Sequence, residues 1–109
     1  MAYDERLAQA MRDALEGHEG ISEKKMFGGL CFLLNGNMVC GVHKGGAMFR
    51  VGKKSEADAL AVPGTGPMTF TGRKMGGMVE ADDETVADDR RRARLMALAL
   101  AHASSLPPK

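Results

Sequence analysis

The residues best equipped for chemistry in this 109-residue chain are Cys31, Cys40 and His43, two thiols and an imidazole in one short stretch. A thiol becomes a useful nucleophile when a base lies within hydrogen-bond reach. Asn35-Gly36 separates the cysteines, and a two-residue turn there predicts Cys31 directly opposite Cys40. Counting outward from the turn makes this a non-hydrogen-bonded pair, with Cα atoms roughly 4.5 Å apart and within disulfide reach. His43 is three residues beyond Cys40, and on a regular strand i and i+3 point to opposite faces. The geometry therefore predicts two small buried hydrophobes, reduced in a cytoplasmic setting, rather than a catalytic pair.

Other constellations are thinner. Cys31, Cys40, His18, His43 and His102 fall on different elements without the spacing of a four-ligand zinc site, so no metal is expected. Gly28-Gly29, Gly45-Gly46 and Gly76-Gly77 form neither GxGxxG nor a P-loop. Turn and bulge geometry accounts for them, and no nucleotide or other cofactor is expected. Basic pairs recur at Lys24-Lys25, Lys53-Lys54 and Arg73-Lys74, with a denser run at Arg90, Arg91, Arg92 and Arg94. Convergence would build a phosphate-binding patch, with Arg90, Arg91 and Arg94 as its nucleic-acid contacts. The competing reading is a solvated helix face on which Asp88 pairs with Arg92 at i+4. Fifteen basic and 14 acidic residues leave a net charge of +1, and the aromatics are one Tyr and four Phe. Nucleic acid is thus the secondary expectation.

The elements that must position these residues can be read in turn. Residues 3–16 form an amphipathic helix, with Tyr3, Leu7, Ala10, Met11, Ala14 and Leu15 on one face, Asp4 at its start and Gly17 at its stop. Met26 to Leu34 is almost continuously apolar, as in a strand covered on both sides, and Gly28-Gly29 within it implies a bulge or close backbone approach. Met38 to Val42 returns across Asn-Gly, the strongest short hairpin signal, because a type I′ turn needs φ > 0 at both positions. Lys44-Gly45-Gly46 turns into a third strand, Ala47 to Val51. Ser55 and Asp58 resemble a capping box for a short helix near 53–61 that ends at Pro63-Gly64. After a loop over 64–67, Met68 to Thr71 and Met75 to Glu80 make a second hairpin around Gly72-Arg73-Lys74. Asp88 to Ser105 is the best helix, with Leu95, Met96, Ala99, Leu100 and Ala103 as its buried stripe and Pro107-Pro108 as its stop.

The result is a single α+β domain over residues 1–109: helix, three antiparallel strands, helix, two antiparallel strands, helix, with a five-stranded sheet. Hydrophobic content of 44% and charged content of 27% suit one globular domain with its own core. Nine methionines and no tryptophan point to a core of soft, adaptable side chains. No apolar run approaches the ~20 residues of a membrane-spanning helix and no signal peptide opens the chain, so membrane partners are not expected and the cytoplasm is.

Four stretches, MAYDERLAQAMRDAL, EKKMFGGLCFLLNGNMVCGV, MFRVG and MTFTGRKMGGMV, in this order resemble the TfoX/Sxy N-terminal domain family, and the similarity extends to the closing SLPPK. The second hairpin departs from the family near Lys74, where Pro is frequent, and near Gly76, where a basic residue is. The resemblance implies a secretion-chaperone-like α+β fold and a regulatory association, since the family is named for bacterial proteins that promote competence-gene expression. It supplies no catalytic residues. The expectation is a non-enzymatic interaction module that binds a protein partner, through a sheet face or edge, with a homodimer contact as one form of this. The alternative is a small nucleic-acid-associated regulator acting through Arg90–Arg94.

Overall fold

The computed structural model describes residues 3–26, 28–70 and 73–108, with 69, 70 and 73–75 described by their backbone. Asp4 opens the first helix, α1 (Glu5–Ala14), by accepting from the Arg6 N–H at 2.8 Å, which satisfies a donor that the helix itself leaves unpaired. Leu7, Ala8 and Met11 face inward, joined by Leu15 just past the helix. Four strands follow, β1 (Ile21–Met26), β2 (Gly29–Leu34), β3 (Asn37–His43) and β4 (Gly46–Arg50). A single 3₁₀ turn at Lys53–Ser55 leads into α2 (Glu56–Leu60), and β5 (Thr65–Phe70) and β6 (Arg73–Ala81) complete the sheet. Two helices close the chain, α3 (Asp83–Ala87) and α4 (Asp89–Ser104).

The sheet has six strands in the order β1-β2-β3-β4-β6-β5, and all neighbours are antiparallel. The α+β class stands, but the expected five-stranded, secretion-chaperone-like sheet gains a strand. Ile21–Met26 reads ISEKKM, and its central residues are exposed. Charges on a sheet edge block pairing with another chain, and they also erase the apolar alternation by which a strand is recognised. What reads as one strand from Met26 to Leu34 is therefore a hairpin, with Gly28 at φ 74 between β1 and β2. Gly29 provides the expected close approach, because a Cβ there would run into the Val42 carbonyl oxygen.

Asn35 (φ 51) and Gly36 (φ 85) form the predicted two-residue turn, and Leu34 faces Asn37. The predicted register then fails. Leu33 faces Met38, but Phe32 faces Cys40, so Val39 is an extra residue in β3, and Cys31 faces Gly41 rather than Cys40. The bulge lets Val39 and Cys40 both join the main core.

That core lies on the sheet face covered by helices. Phe32, Phe49, Val42 and Val79 from the strands meet Met11, Ala59, Val86, Leu95 and Ala99 from the helices. Burying each large side chain contributes roughly 1.5–3 kcal/mol. The longest helix, α4, lies over β3 and β4, while α2 packs on β5, β6 and α4. The buried stripe of α4 holds Leu95, Met96, Ala99 and Ala103, with Leu100 half-buried.

Four further local features differ from expectation. Ser55 precedes α2 but its side chain makes no capping hydrogen bond, and Glu56 accepts instead from the Gly77 N–H at 2.7 Å. The helix α3 was not anticipated; Asp82 caps it by accepting from the Thr85 N–H at 2.8 Å. Asp88 does not pair with Arg92, because it caps α4 through the Arg91 N–H at 2.9 Å. In the second hairpin Phe70 pairs with Arg73, so Arg73 and Lys74 belong to β6 rather than to the expected turn, and Thr71 and Gly72 lie outside the described residues.

Candidate functional site

The thiols take opposite sides of the sheet. Cys40 belongs to the helix-covered core, while Cys31 belongs to a second, smaller cluster with Met48, Met68 and Met78, fringed by Met26 and Met38. Among the described residues each of the six strands contributes one side chain to this sulfur-rich cluster, and no helix contributes any. Gly41 makes the packing feasible: a Cβ there would lie 3.0 Å from Met48 Cε and 3.1 Å from Cys31 Sγ, so the two side chains close over the bare backbone between them. Burial pushes the Cys31 thiol up, and it pushes Cys40 further, with the neighbouring Cys31 adding to the effect. Neither thiol therefore supplies thiolate at neutral pH.

By strand alternation His43 shares the face of Cys31, a relation hidden in the sequence by the bulge. Its Nδ1 accepts from the Gly45 N–H at 3.1 Å, and the buried Nε2 has no hydrogen-bond partner, Cys31 included. No thiol–imidazole pair forms. Burial, with Arg50 nearby, holds His102 below the usual histidine value. Among the described residues no three His, Cys, Asp or Glu side chains gather as metal ligands would.

The arginine run does assemble something. Arg90, Arg91 and Arg94 line one wall of a groove of about 350 Å³ whose other side is Asp58, Ala61, Val62 and Pro63. The two walls come from α4 and from the end of α2. The floor is pinned: Thr65 Oγ1 donates to the Val62 carbonyl at 2.7 Å, and Thr85 Oγ1 donates to the Pro63 carbonyl at 3.2 Å. Arg92 is excluded from the groove because its guanidinium donates to the Val86 carbonyl and to Asp89 Oδ1, both at 2.8 Å. Arg91 keeps a loose pair with Asp88 at 4.0 Å, whereas Arg90 and Arg94 have no ion pair among the described residues. Of the other basic pairs, neither Lys24-Lys25 nor Lys53-Lys54 lines the groove. Lys24 and Lys25 sit on β1, the sheet edge opposite to β5 and α2, and the side chains of Arg73 and Lys74 lie outside the described residues.

A larger cavity, about 560 Å³, opens between the start of α1 and the α3–α4 junction. Its two arginines are already matched, Arg6 with Asp4 at 3.1 Å and Arg92 with Asp89 at 2.8 Å, and the charges left over, on Asp83 and Glu84, are acidic. The groove keeps unmatched cations beside an apolar floor, which makes it the stronger candidate.

A six-stranded antiparallel sheet with its helices on one face, two buried free thiols and an arginine-lined groove between α2 and α4 define a small α+β domain. The chain belongs to the TfoX N-terminal domain family, whose model matches residues 13–103. Searches of curated proteins and of solved structures gave no match. No described helix is long and apolar enough to cross a membrane.

Proposed function

We propose that this chain is a non-enzymatic regulatory domain that works by binding another protein in the cytoplasm, in the manner suggested by the N-terminal domain of competence regulators. The observation that carries the reading is the groove at Arg90, Arg91 and Arg94, where fixed backbone, apolar side chains and the guanidinium groups of Arg90 and Arg94, without an ion pair among the described residues, are presented together. Family membership over residues 13–103 supports it. The chemistry of the thiols supports it too, since a protonated, buried thiol is a poor nucleophile.

The test is affinity capture of the tagged chain from its native host after reversible cross-linking, with and without nuclease. A defined protein that is recovered in both samples, at a fixed ratio to the bait, is the expected result. Recovery of background proteins alone, or of material that vanishes with nuclease, would overturn the reading.

A further inference from the structure

We propose that the groove between α2 and α4 receives an acidic segment of a partner protein, with carboxylates seated on Arg90 and Arg94 and an apolar side chain set between them on Ala61, Val62 and Pro63. This rests on the reading of the domain as a protein-binding module and names the chemistry of its partner.

Charge is the first argument. Arg90 and Arg94 are exposed and lack an ion pair among the described residues, so their guanidinium groups are free to accept a carboxylate in the two-pronged geometry that arginine favours. Spacing is the second. The two residues stand one helical turn apart on α4, which sets their Cβ atoms about 5–6 Å apart. Acidic residues one turn apart on a helix, or two apart on an extended chain, present carboxylates at a similar interval.

The floor is the third argument. Val62 is 8% exposed and is held through the Thr65 hydroxyl, while Pro63 is held through Thr85. A surface already fixed before binding loses little entropy when a ligand docks. The walls also select against a polyanion. Asp58 lines the groove on the side facing the arginines. Among the described residues no aromatic side chain lines the groove for a base to stack on. A continuous phosphate chain running past the arginines would meet the Asp58 carboxylate and leave the apolar floor unused, whereas a peptide with two spaced acids and an apolar residue uses both the arginines and the floor.

The experiment is a random-peptide phage library panned on the intact chain, with counter-selection on Arg90→Glu/Arg94→Glu. Enriched peptides are then resynthesised with a fluorescein label and titrated by polarisation beside a fluorescein-labelled single-stranded DNA. The expected result is a consensus of Asp or Glu flanking an apolar residue. Its affinity should fall at least tenfold in the reversed variant and when the acids become Asn or Gln, and should weaken as salt rises. Should the double reversal fail to fold by circular dichroism, Arg94→Ala and Arg90→Ala serve as separate variants, each expected to weaken binding. Enriched peptides that are not acidic, or that bind the variants equally well, overturn the groove assignment and leave the protein-binding reading intact. No enriched peptide, or DNA binding that depends on Arg90 and Arg94, overturns the assignment and turns the family's regulatory association toward nucleic acid.

Discussion

Gly41→Ala tests the packing of the sulfur-lined face most directly. Gly41 stands opposite Cys31 on one side and Met48 on the other. A methyl group there would sit 3.0 Å from the Leu30 carbonyl oxygen, 3.0 Å from Met48 Cε and 3.1 Å from Cys31 Sγ. Comfortable non-bonded separations are about 3.5–4.0 Å, so each neighbour must retreat by roughly half an ångström. Met48 can swing its terminal methyl, but the Leu30 carbonyl belongs to the backbone of a paired strand and Cys31 is fully buried. Overpacking of this kind costs about 1–3 kcal/mol. Alanine recovers about 0.4–1 kcal/mol by restricting the unfolded chain. The difference spans about 0–2.6 kcal/mol, and with a backbone oxygen among the three contacts a net loss near the middle, about 1.3 kcal/mol, is expected, read as a lower urea midpoint at unchanged slope or a melting temperature lower by about 5–10 °C. Cys31→Ala removes one of the obstructing atoms, so the double variant should be more stable than the sum of the single changes by about 0.5–1 kcal/mol. A Gly41→Ala protein as stable as the parent, or strictly additive effects, would refute the reasoning.

Three other outcomes are expected. Gly36→Val forces a β-branched residue into the left-handed turn position at φ 85 and should cost about 1–2 kcal/mol or more in a urea melt, whereas Gly36→Asn should cost much less. Cys40 is protonated in the folded chain well above the pH at which an unfolded thiol ionises, so stability should fall as pH rises past about 9. The slope lost in Cys40→Ala should approach about 1.4 kcal/mol per pH unit in alkaline urea titrations. Hydrogen bonds from Thr85 hold Asp82 below its ordinary value of 3.8, and the Arg91 N–H does the same for Asp88. Their stabilisation is complete above that pH and disappears as the pH falls through the lowered values, so acid unfolding followed by circular dichroism should be shallower in Asp82→Asn and Asp88→Asn.

What could be read in the sequence follows from how local each feature is. The turn at Asn35-Gly36 was legible because the backbone conformation it requires restricts the residue types at both positions. The stripe on α4 was legible because an apolar period survives over a helix of that length. By contrast β1 carries its charges where its pattern should be, and α3 is too short to show a period at all. The bulge at Val39 leaves no mark in composition, since valine suits either face of a strand, and it moved Cys31 and His43 relative to each other. The arginines could be assigned to one helix face by spacing alone. Their groove could not, because Ala61, Val62 and Pro63 reach it through the packing of α2 on α4 and the hydroxyls of Thr65 and Thr85.

The extra residue at Val39 also determines how the domain meets oxidants. In an unbulged hairpin the two thiols would stand across from each other, close enough to be linked, and the fold would tighten or loosen with its redox surroundings. One inserted residue places the sheet itself between them, with Cys31 among methionines and Cys40 under the helices. The domain is thereby insulated from thiol–disulfide exchange without giving up either sulfur as packing material. Deleting Val39 would restore the facing pair and offer a direct route to building a redox clasp into this fold.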